Sequence, residues 1–160
     1  MNIIEVQRAL RSLKDFEVVA EFSVGGFEWL SFSRKYTGKL VVISSQKTTI
    51  VDCNTGQIKE CDVDYDEEEL VAFCEDLPDE ELSIAGQYGG ELPLLSGKGE
   101  EINVFTDENH IMSIVFSQDG AEDVLIYNSY AAYVFGFSYD GDYFVVANDG
   151  GVSILKRVKM

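Results

Sequence analysis

The sequence predicts an α+β fold that is mostly β: an antiparallel meander of about ten strands, with an N-terminal helix and a mid-chain acidic helix. Short runs rich in Val, Ile, Thr and aromatics recur along most of the chain, as in EVVAEFSV, KLVVISS and DYFVVAN. Hairpin signals such as QDGA, YDG and NDGG separate them. Helical spacing of apolar residues is confined to two segments. A single domain over residues 1–160 is expected, since compact domains run to roughly 100–200 residues.

The elements follow in order. In residues 3–14, Ile3, Val6, Leu10 and Leu13 recur at spacings of three and four, with Arg8, Arg11 and Lys14 on the other side. This is an amphipathic helix. From Phe16 the period becomes strand-like, and residues 16–63 read as a β region: EVVAEFSV, FEWLSFS, KLVVISS, TTIVDC and QIKECDV. Trp29 lies in the second of these runs and is expected in the core.

Residues 66–77 read as the acidic helix. Asp66 suits an N-cap and Glu69, three residues on, a capping box. Leu70, Cys74 and Leu77 would share the buried face, with Val71 and Phe73 flanking it, and Pro78 follows the end. Residues 81–158 read as a second β region. It opens with the glycine-punctuated EELSIAGQYGGELPLLSGKGEEINVF, where tight turns are expected. HIMSIVFS, EDVLIYNSY, AYVFGFS, DYFVVAN and GVSILKRV complete it.

A weak internal repeat lies across the two β regions. LSFSRKYTGKLVVISSQKTTIVDC aligns with FGFSYDGDYFVVANDGGVSILKRV: Phe-Ser, a glycine turn, a strand with Val-Val, a polar turn and another strand. Each half resembles part of a WD-type propeller blade, without the Trp-Asp or Gly-His pairs. The resemblance implies a partial, propeller-like β arrangement as the alternative architecture.

Charge is the most informative part of the composition. The 160 residues hold 29 acids and 12 bases, a net charge of -17. Glu60 to Glu81 contains twelve acids and no Lys or Arg, so most of the net charge sits in this one segment. Nucleic acid is disfavoured as a partner because its phosphates would be repelled, and anionic membranes for the same reason. No run of about 18 apolar residues could span a bilayer. The charged N-terminus MNIIEVQRALRSLKD lacks a signal-peptide core, so a cytoplasmic location is expected. The three cysteines, Cys53, Cys61 and Cys74, are expected as free thiols.

No motif predicts catalysis. His110 is the only histidine and falls in the turn DENH. The spacing Cys-x7-Cys-x12-Cys lacks the close pair of a zinc site. Asp62, Asp64 and Asp66 have calcium-loop spacing, but Glu67 and Phe73 stand where such a loop needs Gly and Glu, leaving only loose divalent binding as an option. GQYGGELP is not a phosphate loop. No cofactor is expected.

The function predicted is therefore non-catalytic binding of a basic protein. The candidate contact residues are Asp62, Asp64, Asp66, Glu67, Glu68, Glu69, Glu75, Asp76, Asp79 and Glu80, since clustered charge of one sign speeds association. Tyr130 and Tyr133, in the aromatic-rich YNSYAAYVFGFSYDGDY, form a second candidate area. In size, acidity, β-rich pattern and the segment GQYGGELPLL, the chain resembles immunity proteins encoded beside bacterial polymorphic toxins. That resemblance implies inhibition of a cognate toxin of nuclease type. The alternative is a β-sheet adaptor that binds a protein or peptide through its aromatic C-terminal half. Nothing in the sequence fixes the oligomeric state.

Overall fold

The computed structural model describes residues 1–130, 134–148 and 150–158. Helix α1 (Ile3–Arg11) begins at a capping box: Asn2 accepts from the Glu5 amide and Glu5 from the Asn2 amide. The first four amides of a helix have no intrahelical partner, and the box satisfies two of them, which stabilises the start. The helix is shorter than the spacing predicts. Ser12 caps its C-terminus and Asp15 turns the chain with φ 65°. Val6, Leu10 and Leu13 are buried, whereas Ile3 is exposed.

All ten of the expected strand runs form strands. They are β1 (Phe16–Phe22), β2 (Phe27–Phe32), β3 (Lys39–Ser44), β4 (Thr48–Asp52), β5 (Gln57–Glu60), β11 (Met112–Gln118), β12 (Val124–Ser129), β13 (Val134–Phe137), β14 (Tyr143–Asn148) and β15 (Gly151–Arg157). Between them the described residues also form β6 (Val63–Asp66), β7 (Val71–Cys74), β8 (Leu82–Ser83), β9 (Ala85–Gly86) and β10 (Glu100–Thr106).

The strands do not form one meander. Among the described residues they make four antiparallel sheets, ordered β1-β15-β14-β13, β5-β4-β3-β2-β9, β6-β7-β8 and β10-β11-β12. The first joins the two ends of the chain, because β1 pairs with β15 from Phe16↔Arg157 to Phe22↔Val152.

Alternation along the strands shows how the sheets stack. Leu40 and Val42 of β3 share a core with Val145 and Ala147 of β14. Val41 and Ile43, on the other face of β3, pack against Ala72, Cys74, Leu82 and Ile84. Phe144 and Val146, on the other face of β14, pack against Ile114, Phe116, Ile126 and α1 residues Val6 and Leu10. Two sheets are thus buried on both faces, which is why KLVVIS and YFVVAN are continuous apolar runs and not alternating ones. The two halves of the internal repeat are these strands: β2-β3-β4 and β13-β14-β15 are both three-stranded meanders. Ser33 and Ser138 occupy matching turns, where each amide bonds back to the carbonyl that opens the next strand, Lys39 and Tyr143.

The mid-chain helix is absent. Residues 66–77 hold the end of β6, a turn and β7, paired from Val63↔Cys74 to Asp66↔Val71. Asp66 does cap backbone amides, accepting from Glu68 and Glu69 at 2.9 and 3.1 Å, but within a turn between strands. Leu70 then takes φ 57°, which no helix accommodates. Ala72 and Cys74 point inward while Phe73 points outward, a period of two.

Candidate functional site

The hairpin of β6 and β7 turns the acidic segment into a ribbon with two unlike faces. Val63, Ala72, Cys74 and the following Leu77 face the core shared with Trp29, Val41 and Ile43. The opposite face carries Asp62, Asp64 and Asp66, spaced two apart so that all three project the same way. Phe73 stands opposite Asp64 in the register, 53% exposed. The Glu75 amide bonds to the Asp62 carbonyl, placing Glu75 beside Asp62. The result is a strip of carboxylates around one exposed phenyl ring.

The ten acids predicted as contacts divide into two groups. Four have structural work to do. Asp66 holds its turn. Glu67 accepts from Trp29 Nε1 at 3.3 Å. Asp76 pairs with Lys59 Nζ at 2.8 Å, and that hydrogen bond raises the lysine's pKa. Glu80 bridges to the β2–β3 loop, accepting from the Ser33 hydroxyl and from the Arg34 and Lys35 amides. The other six, Asp62, Asp64, Glu68, Glu69, Glu75 and Asp79, are exposed. Among the described residues none of these six pairs with a Lys or Arg. Carboxylates without an internal cation are open to an approaching one.

Of the second area, Tyr130 is 73% exposed just beyond β12, and Tyr133 lies outside the described residues. Tyr127 and Tyr143 are buried, the latter donating to Asn54 Oδ1 at 2.6 Å. Phe73 was the residue that sequence reasoning missed, because a helical period places it on the flank of a core face. The acid–apolar alternation of DVDYD, read as a strand, was the available signal.

The remaining polar motifs have plain surroundings. His110 is exposed in the turn closed by Asp107, with φ 64°. Cys53 is fully buried, and burial followed by the neighbouring Asp52 charge pushes its thiol up to about 12. Cys61 is also pushed up to about 12, by burial first and then by the adjacent Cys74. All three cysteines are free. Among the described residues, no group of three or more His, Cys, Asp and Glu is placed to hold a metal ion. No helix among them is long and apolar enough to cross a membrane.

No protein-family model matches the chain, and neither curated proteins nor solved structures give a match.

Proposed function

We propose that this chain is a non-catalytic inhibitor that neutralises a basic protein, in the manner of an immunity protein bound to a toxin of nuclease type. One observation carries the reading: Asp62, Asp64 and Glu75, exposed and without a Lys or Arg partner among the described residues, share the outer side of one hairpin with the exposed Phe73 ring, and Glu68 and Glu69 extend the charge into its turn. A nuclease must present positive charge to bind phosphate, and a carboxylate strip competes for that surface. The charges accelerate encounter, and the ring supplies an apolar anchor of the kind that dominates interface energetics. The body behind the strip reads as propeller-like: four antiparallel sheets, with β1 from one end of the chain completing the sheet of β13, β14 and β15 from the other.

Co-expression tests the proposal. The partner is a toxic domain encoded next to this chain, and growth should be restored when both are produced. The variant Asp62→Lys/Asp64→Lys/Glu75→Lys should lose that protection while keeping its melting temperature. Full protection by this variant would overturn the assignment of the strip.

A second reading has its own observation. Phe105, Leu125 and Tyr130 are exposed on or beside the β10-β11-β12 sheet, as an adaptor surface would require. Salt separates the two. Binding through the strip loses association rate steeply as screening increases, whereas binding through these apolar side chains responds little.

A further inference from the structure

A cleft of about 380 Å³ opens beside the β6–β7 turn, lined by Phe27, Glu28, Trp29, Glu67, Gln87 and Tyr88. Its aromatic floor is Trp29, 4% exposed and opposite Gly86 in the β2–β9 pairing. A Cβ on Gly86 would sit 2.8 Å from the indole Cε3 and 2.1 Å from the Glu28 carbonyl, so only glycine lets the ring lie against β9. The indole Nε1 donates to Glu67, which turns that carboxylate toward the cleft.

Tyr88 forms one wall. It is 84% exposed at the tip of the loop from Gly86 to Gly89, closed by the Gly86 amide on the Gly89 carbonyl at 2.9 Å. Gly90 fixes the exit of the loop with φ 76°, and a Cβ there would meet the Ile84 carbonyl at 2.2 Å. The segment GQYGG thus holds a large aromatic side chain in water, between two positions where only glycine fits. Burial, then the charges of Glu28 and Glu67, raise the nearby Tyr65 phenol. Among the described residues neither Glu28 nor Glu67 pairs with a Lys or Arg.

Aromatic faces attract cations, and a planar guanidinium can stack on a ring while presenting its edge to carboxylates. We propose that this cleft receives one arginine side chain of the partner, stacked against Tyr88 over the Trp29 floor and paired with Glu28 and Glu67. This rests on the reading of the protein as a binder of a basic partner, and it adds which side chain is recognised and where.

The only tryptophan in the chain lies in the cleft, so its emission reports occupancy directly. The intact protein is titrated at fixed ionic strength with acetyl-Gly-Arg-Gly-amide, with its lysine counterpart and with its uncharged citrulline counterpart. The arginine peptide should give a saturable change in Trp29 emission, with weaker binding of the lysine peptide and none measurable of the citrulline peptide. Tyr88→Ala and Glu67→Gln should each weaken the arginine peptide about three- to tenfold, at unchanged circular dichroism. No saturable response to the arginine peptide, an equal response to citrulline, or wild-type affinity in both variants overturns the cleft. Tighter binding of the lysine peptide overturns the choice of arginine.

Calorimetry with deca-arginine keeps the two readings apart. Binding lost in Asp62→Lys/Asp64→Lys/Glu75→Lys but intact in Tyr88→Ala/Glu67→Gln defeats the cleft alone. Absence of deca-arginine binding to the wild type defeats the basic-partner reading as well.

Discussion

Three residues with constrained surroundings, Trp29, Cys53 and Cys61, give two direct tests of the core. Trp29 is buried between β9 and the β6–β7 hairpin, and its removal leaves a cavity there. Trp29→Ala should destabilise the protein by about 3–5 kcal/mol in denaturant unfolding. Unchanged stability would contradict the burial. Cysteine reactivity is the second test. Thiolate is the reactive form, and Cys53 and Cys61 both have thiols pushed up to about 12. At pH 8, iodoacetamide should modify Cys61 far more slowly than free glutathione, and Cys53 only as the protein unfolds. Mass spectrometry of labelled peptides reads both rates, and prompt labelling of Cys53 would refute its enclosure.

At the scale of elements, the β6–β7 hairpin depends on Asp66, whose side chain accepts two backbone amides in the turn. Asp66→Ala should cost about 1 kcal/mol, with Asp66→Asn retaining most of the stability. Thermal melts of the two variants measure the difference; equal losses would mean that charge, and not capping, is what Asp66 supplies. The same residue explains why this element was misread. An Asp followed by acids and then by Leu-Val-Ala-Phe-Cys satisfies the start of a helix and the turn of a hairpin alike. Only the pairing of Val71–Cys74 with Val63–Asp66 and Leu82–Ser83 decides between them, and that pairing is with chain on both sides of the segment. The other strands were legible because Val, Ile and aromatic runs were bounded by glycine turns. Their division into four sheets was not, since β1 finds β15 across nearly the whole sequence. The acidic strip was legible as charge but not as shape. Its exposed Phe73, and the separation of structural from free carboxylates, needed the hairpin.

The whole molecule is tied together at Arg157, the last residue of β15. Its guanidinium reaches Glu100 at the start of β10 with bonds of 3.0 and 2.6 Å and the Gly141 carbonyl at 2.9 Å. It also lies over the Phe16 ring of β1, 4.8 Å from the centroid. Four parts of the chain, from two sheets and a turn, meet at this one side chain. Glu100 is only 7% exposed, and Ser96 donates to it at 2.6 Å. Burial alone would raise its carboxyl pKa, but the hydrogen bonds from Arg157 and Ser96 outweigh that and hold it below its ordinary value of 4.5. Because the folded-state value is depressed, the stabilisation is complete above 4.5 and is lost as pH falls through the lower folded-state value. Arg157→Met leaves the buried carboxylate without its guanidinium, with only the Ser96 hydroxyl still donating to it, and should cost about 3 kcal/mol at pH 7. The deficit should shrink in acid, as Glu100 takes up a proton and ceases to be a buried charge. Adding Glu100→Leu to Arg157→Met should recover part of the loss at neutral pH, since the double replacement removes the unpaired buried charge but leaves the Ser96 hydroxyl without its acceptor. Urea unfolding of both variants from pH 7 to pH 3.5 tests this. A deficit for Arg157→Met that stays constant with pH would show that the arginine acts through packing on Phe16 and not through the charge of Glu100.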